Sequence, residues 1–599
     1  MGLLMTILFS AAAAYLGLKV GQVFEAAIPI AIIAVGVTGI LGKKDGLGQN
    51  VIIQSIGGCS GAVVAGAIFT LPAIYILGVE VNFWQMFLSS VLGGVLGILF
   101  LIPFRKYFVQ DMHGKYPFPE ATATTQVLVS GEGGGSSAKT LVVAGLIGGL
   151  YDFVVATFGA WAETISTTVM HWGQVVADKA KVVLKLNTGA AVLGLGYIIG
   201  LKYAFIICCG SLLVWLVIIP LLNLLSGGPV IDWLGAAVSH DALAGMTADE
   251  LFRTYARHIG IGGIATAGII GIIRSAGVIK SAVGLAVSEF KRKPGESAAA
   301  VERTQEDLPM RTVIFGIVIA LVIVALIAFL FTTVAANAIA IVGTNPVSGM
   351  TIMTLIITAL VLVAVGLKGN AGMVAAMVIG GVVCTALSTA GGLITDFKIG
   401  YWIGTTPRKQ EAWKFVGVAV AAATVGGVML VLNKTYGFVG DGALVAPQAN
   451  AMAAVIQPMM NGGNAPWLLY GIGALIAILL TVFKVPALAF CLGMFIPIDL
   501  NLPLLVGGAI AWFVSSRSKD AEVNRARQEK GTLIASGFIA GGALMGVVSA
   551  ILKFAGVDWF LSGWNAVGAS GASPAEMIAV VPFLAICGYM VYASLKKSK

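Results

Sequence analysis

Eight ionisable residues stand within or at the ends of long apolar runs: Lys19, Glu25, Glu120, Asp152, Lys202, Asp396, Lys398 and Asp499. A charge at membrane depth costs roughly 2.5–3.5 kcal/mol, so each is a candidate for gripping a charged solute or passing a proton. Lys19 closes an apolar run, where its ammonium either faces a solute carboxylate or snorkels to the interface. Asp152 either serves a site or caps a helix end. Glu120 falls in Pro117-Phe118-Pro119-Glu120-Ala121-Thr122-Ala123, beside a proline-enforced helix start. Such a start stabilises an anion through its dipole and offers amides to an anionic group. The alternative is a carboxylate that only caps its own short helix. Protonation neutralises a carboxylate otherwise expensive in the bilayer, which makes Glu120, Asp396 and Asp499 the proton-coupling candidates.

A second kind of chemistry sits in Thr344-Asn345-Pro346-Val347-Ser348-Gly349-Met350-Thr351. Asn345 and Ser348 offer donors and acceptors, Pro346 breaks the helix, and Gly349 lets the backbone approach a ligand. This half-helix end suits a peptide-like or multiply polar solute; a purely structural turn would use the same residues. Ala446-Pro447-Gln448-Ala449-Asn450 repeats the pattern of a proline followed by small and amide side chains. The expected substrate-binding set is Lys19, Gln54, Thr122, Asn345, Ser348, Gly349, Thr351, Gln448 and Asn450, converging near the bilayer midplane.

Other chemistries lack their residues. The 4 His residues are scattered without HxxxH or HExxH spacing, so no metal centre is expected. His113 reads as part of a wet cytoplasmic loop. The 6 Cys lie in apolar stretches with no CxxC pair and read as buried thiols. No Walker A sequence is present, which argues against ATP drive. The expected cofactor is none, with a proton as the suspected coupling ion.

These side chains need long apolar elements to hold them. Of 599 residues, 58% are hydrophobic and 11% charged, against roughly 25% charged in a soluble domain. With a mean hydropathy of +0.97, a water-soluble enzyme is excluded. Long apolar runs rather than short alternating segments exclude a barrel. The net charge of +9 lies mostly in segments flanking apolar runs, which reads as membrane topology and not as a nucleic-acid partner. At roughly 20 residues per span, the chain supports about 14–17 membrane helices. Residues 1–20 read as a first span, since a cleaved signal would carry a basic start. Segments 116–130 and 446–461 put Pro ahead of small and polar residues between spans. They read as re-entrant or broken helices, which membranes tolerate only where backbone is buried or lines a cavity.

Basic residues assign the cytoplasmic side. Lys43, Lys44, Arg105, Lys106, and segments 291–293, 517–530 and 596–599 should be inside, together with both termini. Arg408 and Lys409 fit this scheme poorly. Residues 280–311 hold 11 charges and form a solvated cytoplasmic linker at 281–311, between halves 1–280 and 312–599. Those halves read as repeats. At an offset of 328, Gly21 falls on Gly349, Lys106 on Lys434, Pro119-Glu120-Ala121 on Pro447-Gln448-Ala449, and Gly145 on Gly473. At 297, Gly196 falls on Gly493, Gly210 on Gly507 and Lys202 on Asp499. If the linker and both termini are inside, each half crosses an even number of times. The halves are then parallel repeats about an axis along the membrane normal.

Several strings resemble the oligopeptide transporter family: Ala14-Tyr15-Leu16-Gly17-Leu18-Lys19-Val20-Gly21, Phe118-Pro119-Glu120, Asn345 to Thr351, GYWIGTTPRK at 400–409, Ala446 to Asn450, and LAFCLGMFIPIDLNLPLL at 488–505. The resemblance runs along nearly the whole chain. It is closest to the prokaryotic branch, related to yellow stripe-like metal-chelate carriers. It implies an all-α polytopic protein of about 16 spans in two homologous halves. It also implies proton-coupled uptake of short peptides or peptide-like metal chelates, with homodimers possible in the family. Departures occur at Gly48-Gln49-Asn50 and Cys59-Ser60, where the family often has acidic residues, and at Thr395-Asp396-Phe397-Lys398. They leave the coupling residue open among Glu120, Asp396 and Asp499.

The expected protein is therefore a multi-pass symporter of a prokaryotic inner membrane, binding a small peptide or chelate within the lipid bilayer. One rival is a passive channel, which would need a continuous wet path. The other is a polytopic enzyme, which would need a compact acid, metal or nucleophile constellation that the sequence does not offer.

Overall fold

The computed structural model describes residues 1–20, 26–40, 46–79, 82–111, 118–130, 136–225, 245–270, 347–364, 366–440, 446–461, 466–557, 559–566 and 573–596, with a few isolated residues between. The expected linker at 281–311, Glu25 and Asn345 lie outside the described residues. The main elements, in chain order, are α1 (Gly2–Val20), α2 (Ala27–Ile40), α3 (Leu47–Gly57), α4 (Cys59–Thr70), α5 (Phe83–Leu101), α6 (Pro119–Ser130), α7 (Ser136–Phe153), β1 (Thr164–Ser166), β2 (Lys185–Asn187), α8 (Ala190–Ile199), α9 (Leu201–Leu213), α10 (Val347–Ala364), α11 (Gly369–Ile403), α12 (Pro407–Thr435), α13 (Pro447–Asn461), α14 (Trp467–Val482), α15 (Ala487–Phe495), α16 (Ile498–Ser515), α17 (Ala521–Phe554) and α18 (Val580–Leu595). Among the described residues, 10 helices are long and apolar enough to cross a membrane, and shorter apolar helices accompany them. This is a polytopic, helical membrane protein. A single antiparallel ribbon, with Ile165 opposite Leu186, is the only sheet among the described residues.

Two compact units divide the chain, one made of 1–138 and 268–461, the other of 139–267 and 462–599. Each draws on both expected halves. In the first unit the 35-residue α11 is central. The span Leu47–Ile76, which contains α3 and α4, runs antiparallel to α11. Gln54 bonds Asp396, Ala62 faces Gly392, and Gly66 abuts Thr385 so tightly that a Cβ would collide with backbone. The pair α5 and α12 is antiparallel too, since Gly94 meets Val418 while Phe83 meets Gly426. Lipid tails give helices no hydrophobic reason to associate, so close approach at small residues supplies the attraction. Around these crossings Val63, Ile98, Phe104, Phe118, Leu393 and Phe397 form one buried cluster.

The second unit is built on reciprocal crossings. Gly196 on α8 abuts the Leu504 carbonyl of α16, and Gly493 on α15 abuts the Ile207 carbonyl of α9. Each residue of the second contact stands 297 positions from its counterpart in the first. The same holds for Gly210 against Phe490 and Gly507 against Leu193. At the break between α15 and α16, the Asn501 amide donates to the carbonyls of Gly493 at 3.2 Å and Ile496 at 3.0 Å, and to Ser211 Oγ at 2.9 Å. Asp152 resolves in favour of a cap, because its carboxylate accepts from Ala190 N at 2.8 Å and Ala191 N at 3.1 Å, the first amides of α8. The Lys530 ammonium donates to the Lys596 carbonyl at 2.7 Å, so the basic start of α17 and the end of α18 share one end of this unit. Of the six thiols, Cys209 and Cys587 are half-buried and the other four buried, all free.

Candidate functional site

Two helix starts in the first unit have the same construction. Phe118 and Ala446 take left-handed backbone, at φ 42° and 36°, directly before Pro119 and Pro447. Left-handed backbone costs an L-residue roughly 1–2 kcal/mol, and proline further restricts the residue ahead of it. The Thr122 hydroxyl donates back to the Phe118 carbonyl at 2.9 Å, and the Asn450 amide to the Ala446 carbonyl at 3.3 Å. Each strained turn is thus held by the side chain four residues on. At 12 and 15 residues, α6 and α13 rise about 18 and 22 Å, short of the roughly 30 Å hydrocarbon core. The expectation for both segments was a re-entrant or broken helix, and each forms a short helix led by proline.

The start of α13 is fastened to the end of α1. Ala446 N donates to the Leu18 carbonyl at 2.7 Å, which sets Gln448 and Asn450 on the first turn after the contact with Lys19's neighbour. Lys19 is half-buried, its Nζ 5.6 Å from the Tyr15 ring centre, and Gln448 is fully buried. Glu120, in the first turn of α6, is half-buried. The structure therefore brings Lys19, Gln448 and Asn450 to one junction and places Glu120 and Thr122 at the matching helix start.

A buried ion pair forms a second centre. Asp396 on α11 pairs with Lys414 on α12, both almost wholly inside the protein. Gln54 Nε2 donates to Asp396 Oδ1 at 2.9 Å and Ser55 Oγ to Oδ2 at 3.1 Å. Lys414 also donates to the Ser55 carbonyl at 3.0 Å, and Gln410 Nε2 to the Asp396 carbonyl at 3.0 Å. Gln54, expected as a substrate ligand, is here a partner of the carboxylate. Lys414 and Ser55 were not anticipated. Lys414 follows the Arg408-Lys409 flank and resembles more of the same, but it lies four residues after Gln410, on the helix face turned towards Asp396.

Lys398, two residues beyond Asp396, points elsewhere. Its ammonium donates to the Val109 carbonyl at 2.8 Å, lies 2.9 Å from His113 Nδ1, and sits 5.2 Å from the ring centres of Phe118, Tyr401 and Trp402. One helix thus carries an ion-paired carboxylate towards α3 and α12, and an aromatic-lined cation towards the strained start of α6. His113 is solvent-exposed, as a loop residue should be, yet it reaches this cation.

The remaining candidates are dispersed. Thr351 is buried and bonds Cys384 Sγ at 2.9 Å. Ser348 and Gly349 fall in the first turn of α10. Asp499 belongs to the second unit, in the first turn of α16 and half-buried, while Lys202 on α9 is exposed.

The first unit thus combines long apolar helices, two short proline-led helices and a buried ion pair, and comparison with known proteins places the chain in a family. Residues 1–553 match the model of the family described as OPT oligopeptide transporter protein. A Haemophilus influenzae protein named "Putative oligopeptide transporter" is 28% identical, with the match covering 97% of this chain and 99% of that protein. The chain belongs to the OPT oligopeptide transporter family, and is a multi-pass membrane transporter rather than an enzyme.

Proposed function

We propose that this transporter imports short peptides or peptide-like metal chelates in symport with protons, as a member of the prokaryotic branch related to yellow stripe-like carriers. The observation that carries the reading is the pair of strained, proline-led helix starts. Helix starts aim N–H dipoles at an anionic group, and a zwitterionic solute presents carboxylates and amides together. Lys19 and Gln448, at the α1–α13 junction, supply a cation and an amide for such a solute. Asp396 is the coupling carboxylate favoured here, because its ion pair with Lys414 would be released on protonation and re-formed on proton loss. Glu120 and Asp499 are the other candidates. Proteoliposomes loaded against a peptide library and metal chelates, with and without a pH gradient, test this directly. Saturable uptake that rises with an inward proton gradient is expected; equal, non-saturating flux in both conditions would favour a channel.

The proposed architecture is two homologous halves, 1–280 and 312–599, joined by a linker at 281–311. Support comes from the reciprocal glycine crossings at offset 297 and the paired helix starts at offset 328. Packing supports one direction for the axis of such a repeat. At offset 328 the span Leu47–Ile76 corresponds to part of α11, and α5 to part of α12. Both pairs pack antiparallel. Two antiparallel spans exchanged by a twofold need an axis perpendicular to them, in the membrane plane. This departs from the parallel arrangement expected from charge counting. Each half then crosses an odd number of times, keeping both termini on one side and moving the linker to the other. Impermeant thiol labelling of Ser297→Cys and Gln49→Cys, in a background without reactive cysteines, decides it. Labelling from opposite faces supports the in-plane axis, and labelling from the same face restores the parallel one.

A further inference from the structure

A groove of about 560 Å³ opens in the first unit where three spans begin, lined among others by Met1, Gly48, Ile52, Thr406, Lys409 and Trp413. We propose that it binds an anionic phospholipid, one acyl chain lying along Gly48 and Ile52 and the phosphate meeting the Lys409 ammonium. Position supports this first. The spans Gly2–Lys19, Leu47–Ile76 and Pro407–Thr435 all start at the groove, which therefore lies at one membrane interface. Trp413 stands one turn deeper than Lys409 and is 49% exposed, as an interfacial indole should be.

Shape and charge then select the ligand. A Cβ built on Gly48 meets only Thr405 Cγ2, at 4.0 Å, so the space beside the α3 backbone is open to an acyl chain. The groove's lining residues are mostly apolar, and no acidic side chain is among them. Its polar end carries the exposed Lys409, next to the exposed Arg408. Thr405, which also lines the groove, keeps a buried hydroxyl with no hydrogen-bond partner among the described residues. A lipid with net negative charge gains from this cationic rim, whereas a zwitterionic headgroup brings its own cation against it. The same rim accounts for Arg408 and Lys409, the basic residues that fitted the sequence-based topology poorly: Lys409 lies beside Met1, at the end already expected to be basic.

Native mass spectrometry of the detergent-purified, full-length protein, mixed with phosphatidylglycerol or phosphatidylcholine, tests the proposal. The wild type should retain phosphatidylglycerol in preference. Lys409→Ala should lower that preference about fivefold, the worth of one lysine near a membrane surface. Gly48→Leu should fill the recess and remove the bound lipid while thermal denaturation shows the protein still folded. Equal retention of both lipids, retention undiminished in folded Gly48→Leu, or full displacement by inorganic phosphate would each overturn the assignment, the last by reducing the site to a simple anion pocket.

Discussion

Phe118 and Ala446 stand 328 residues apart and share a left-handed backbone that neither side chain favours. Each precedes the proline that opens a short helix. Each has its carbonyl bonded by the side chain four residues on. A strained conformation persists only when its surroundings over-determine it, and strain of this kind concentrates at ligand clamps and moving parts. That it occurs twice at one sequence offset supports a shared role in gripping or releasing the solute.

Ala446→Gly should separate strain from function. Glycine removes the left-handed penalty of roughly 1–2 kcal/mol and returns about 0.5–1 kcal/mol of it as chain entropy. Thermal stability is therefore expected to hold or rise slightly. Uptake should fall; the backbone bond from residue 446 to the Leu18 carbonyl is kept, so the fall would be owed to the lost strain at the start of α13. Unchanged uptake in a variant of equal or greater stability would mark the turn as architectural only.

The Asp396–Lys414 pair predicts a non-additive result. Asp396→Asn leaves a buried ammonium with lost compensation, costing about 3–5 kcal/mol. Asp396→Leu combined with Lys414→Met removes both charges and should recover most of that loss. If Asp396 carries the coupling proton, the folded double variant takes up substrate without proton influx. Normal coupling in that variant would pass the role to Glu120 or Asp499.

Much of this was legible in the chain, for reasons that can be named. Pro119 and Pro447 announce helix starts because proline fits the first turn of a helix, where its missing N–H leaves no bond unmade. The proposed repeat drew on glycines such as Gly196 and Gly493, and each stands at a crossing without room for a Cβ. The Asp396–Lys414 pair was not legible. Its partners lie on successive helices, and only their packing, with Gln54 and Ser55 from a distant span, shows which cation meets the carboxylate. The antiparallel pairing that favours an in-plane axis for the proposed repeat was hidden for a similar reason. Charge counting assigns sides to loops, whereas antiparallel packing is a property of helix pairs far apart in sequence.

Lys398 should prove a local clamp. Its ammonium holds the Val109 carbonyl, and three rings around it include Phe118, the strained residue itself. A hydrogen bond from a charged donor is worth about 1.5–3 kcal/mol, and a desolvated cation–aromatic contact up to about 2. Lys398→Met should lower global stability by about 2–3 kcal/mol and speed amide exchange in residues 118–122 before the rest of the unit. Lys398→Arg keeps charge but brings a larger, planar group, so it should rescue only in part. Uniform acceleration across the whole unit, with no early loss at 118–122, would deny the clamp.

The reciprocal crossings of the second unit make the sharpest structural test. Gly196 and Gly493 each sit against a backbone carbonyl, of Leu504 and Ile207 respectively, and a Cβ at either would collide with it. Backbone cannot move aside as a flexible side chain can, so the two helices must separate. Overpacking of this sort costs typically about 1–3 kcal/mol. Gly196→Ala and Gly493→Ala should therefore destabilise by similar amounts, because both place a Cβ against backbone in contacts that correspond at an offset of 297. Gly471 on α14 provides the control, since nothing lies within 4 Å of a Cβ built there. Gly471→Ala should be neutral or slightly stabilising, as alanine improves helix propensity. Thermal denaturation of the three purified variants in one detergent measures all of this. A large cost at one crossing with none at the other would show that the contacts are not equivalent, and would remove the packing support for the repeat in this unit.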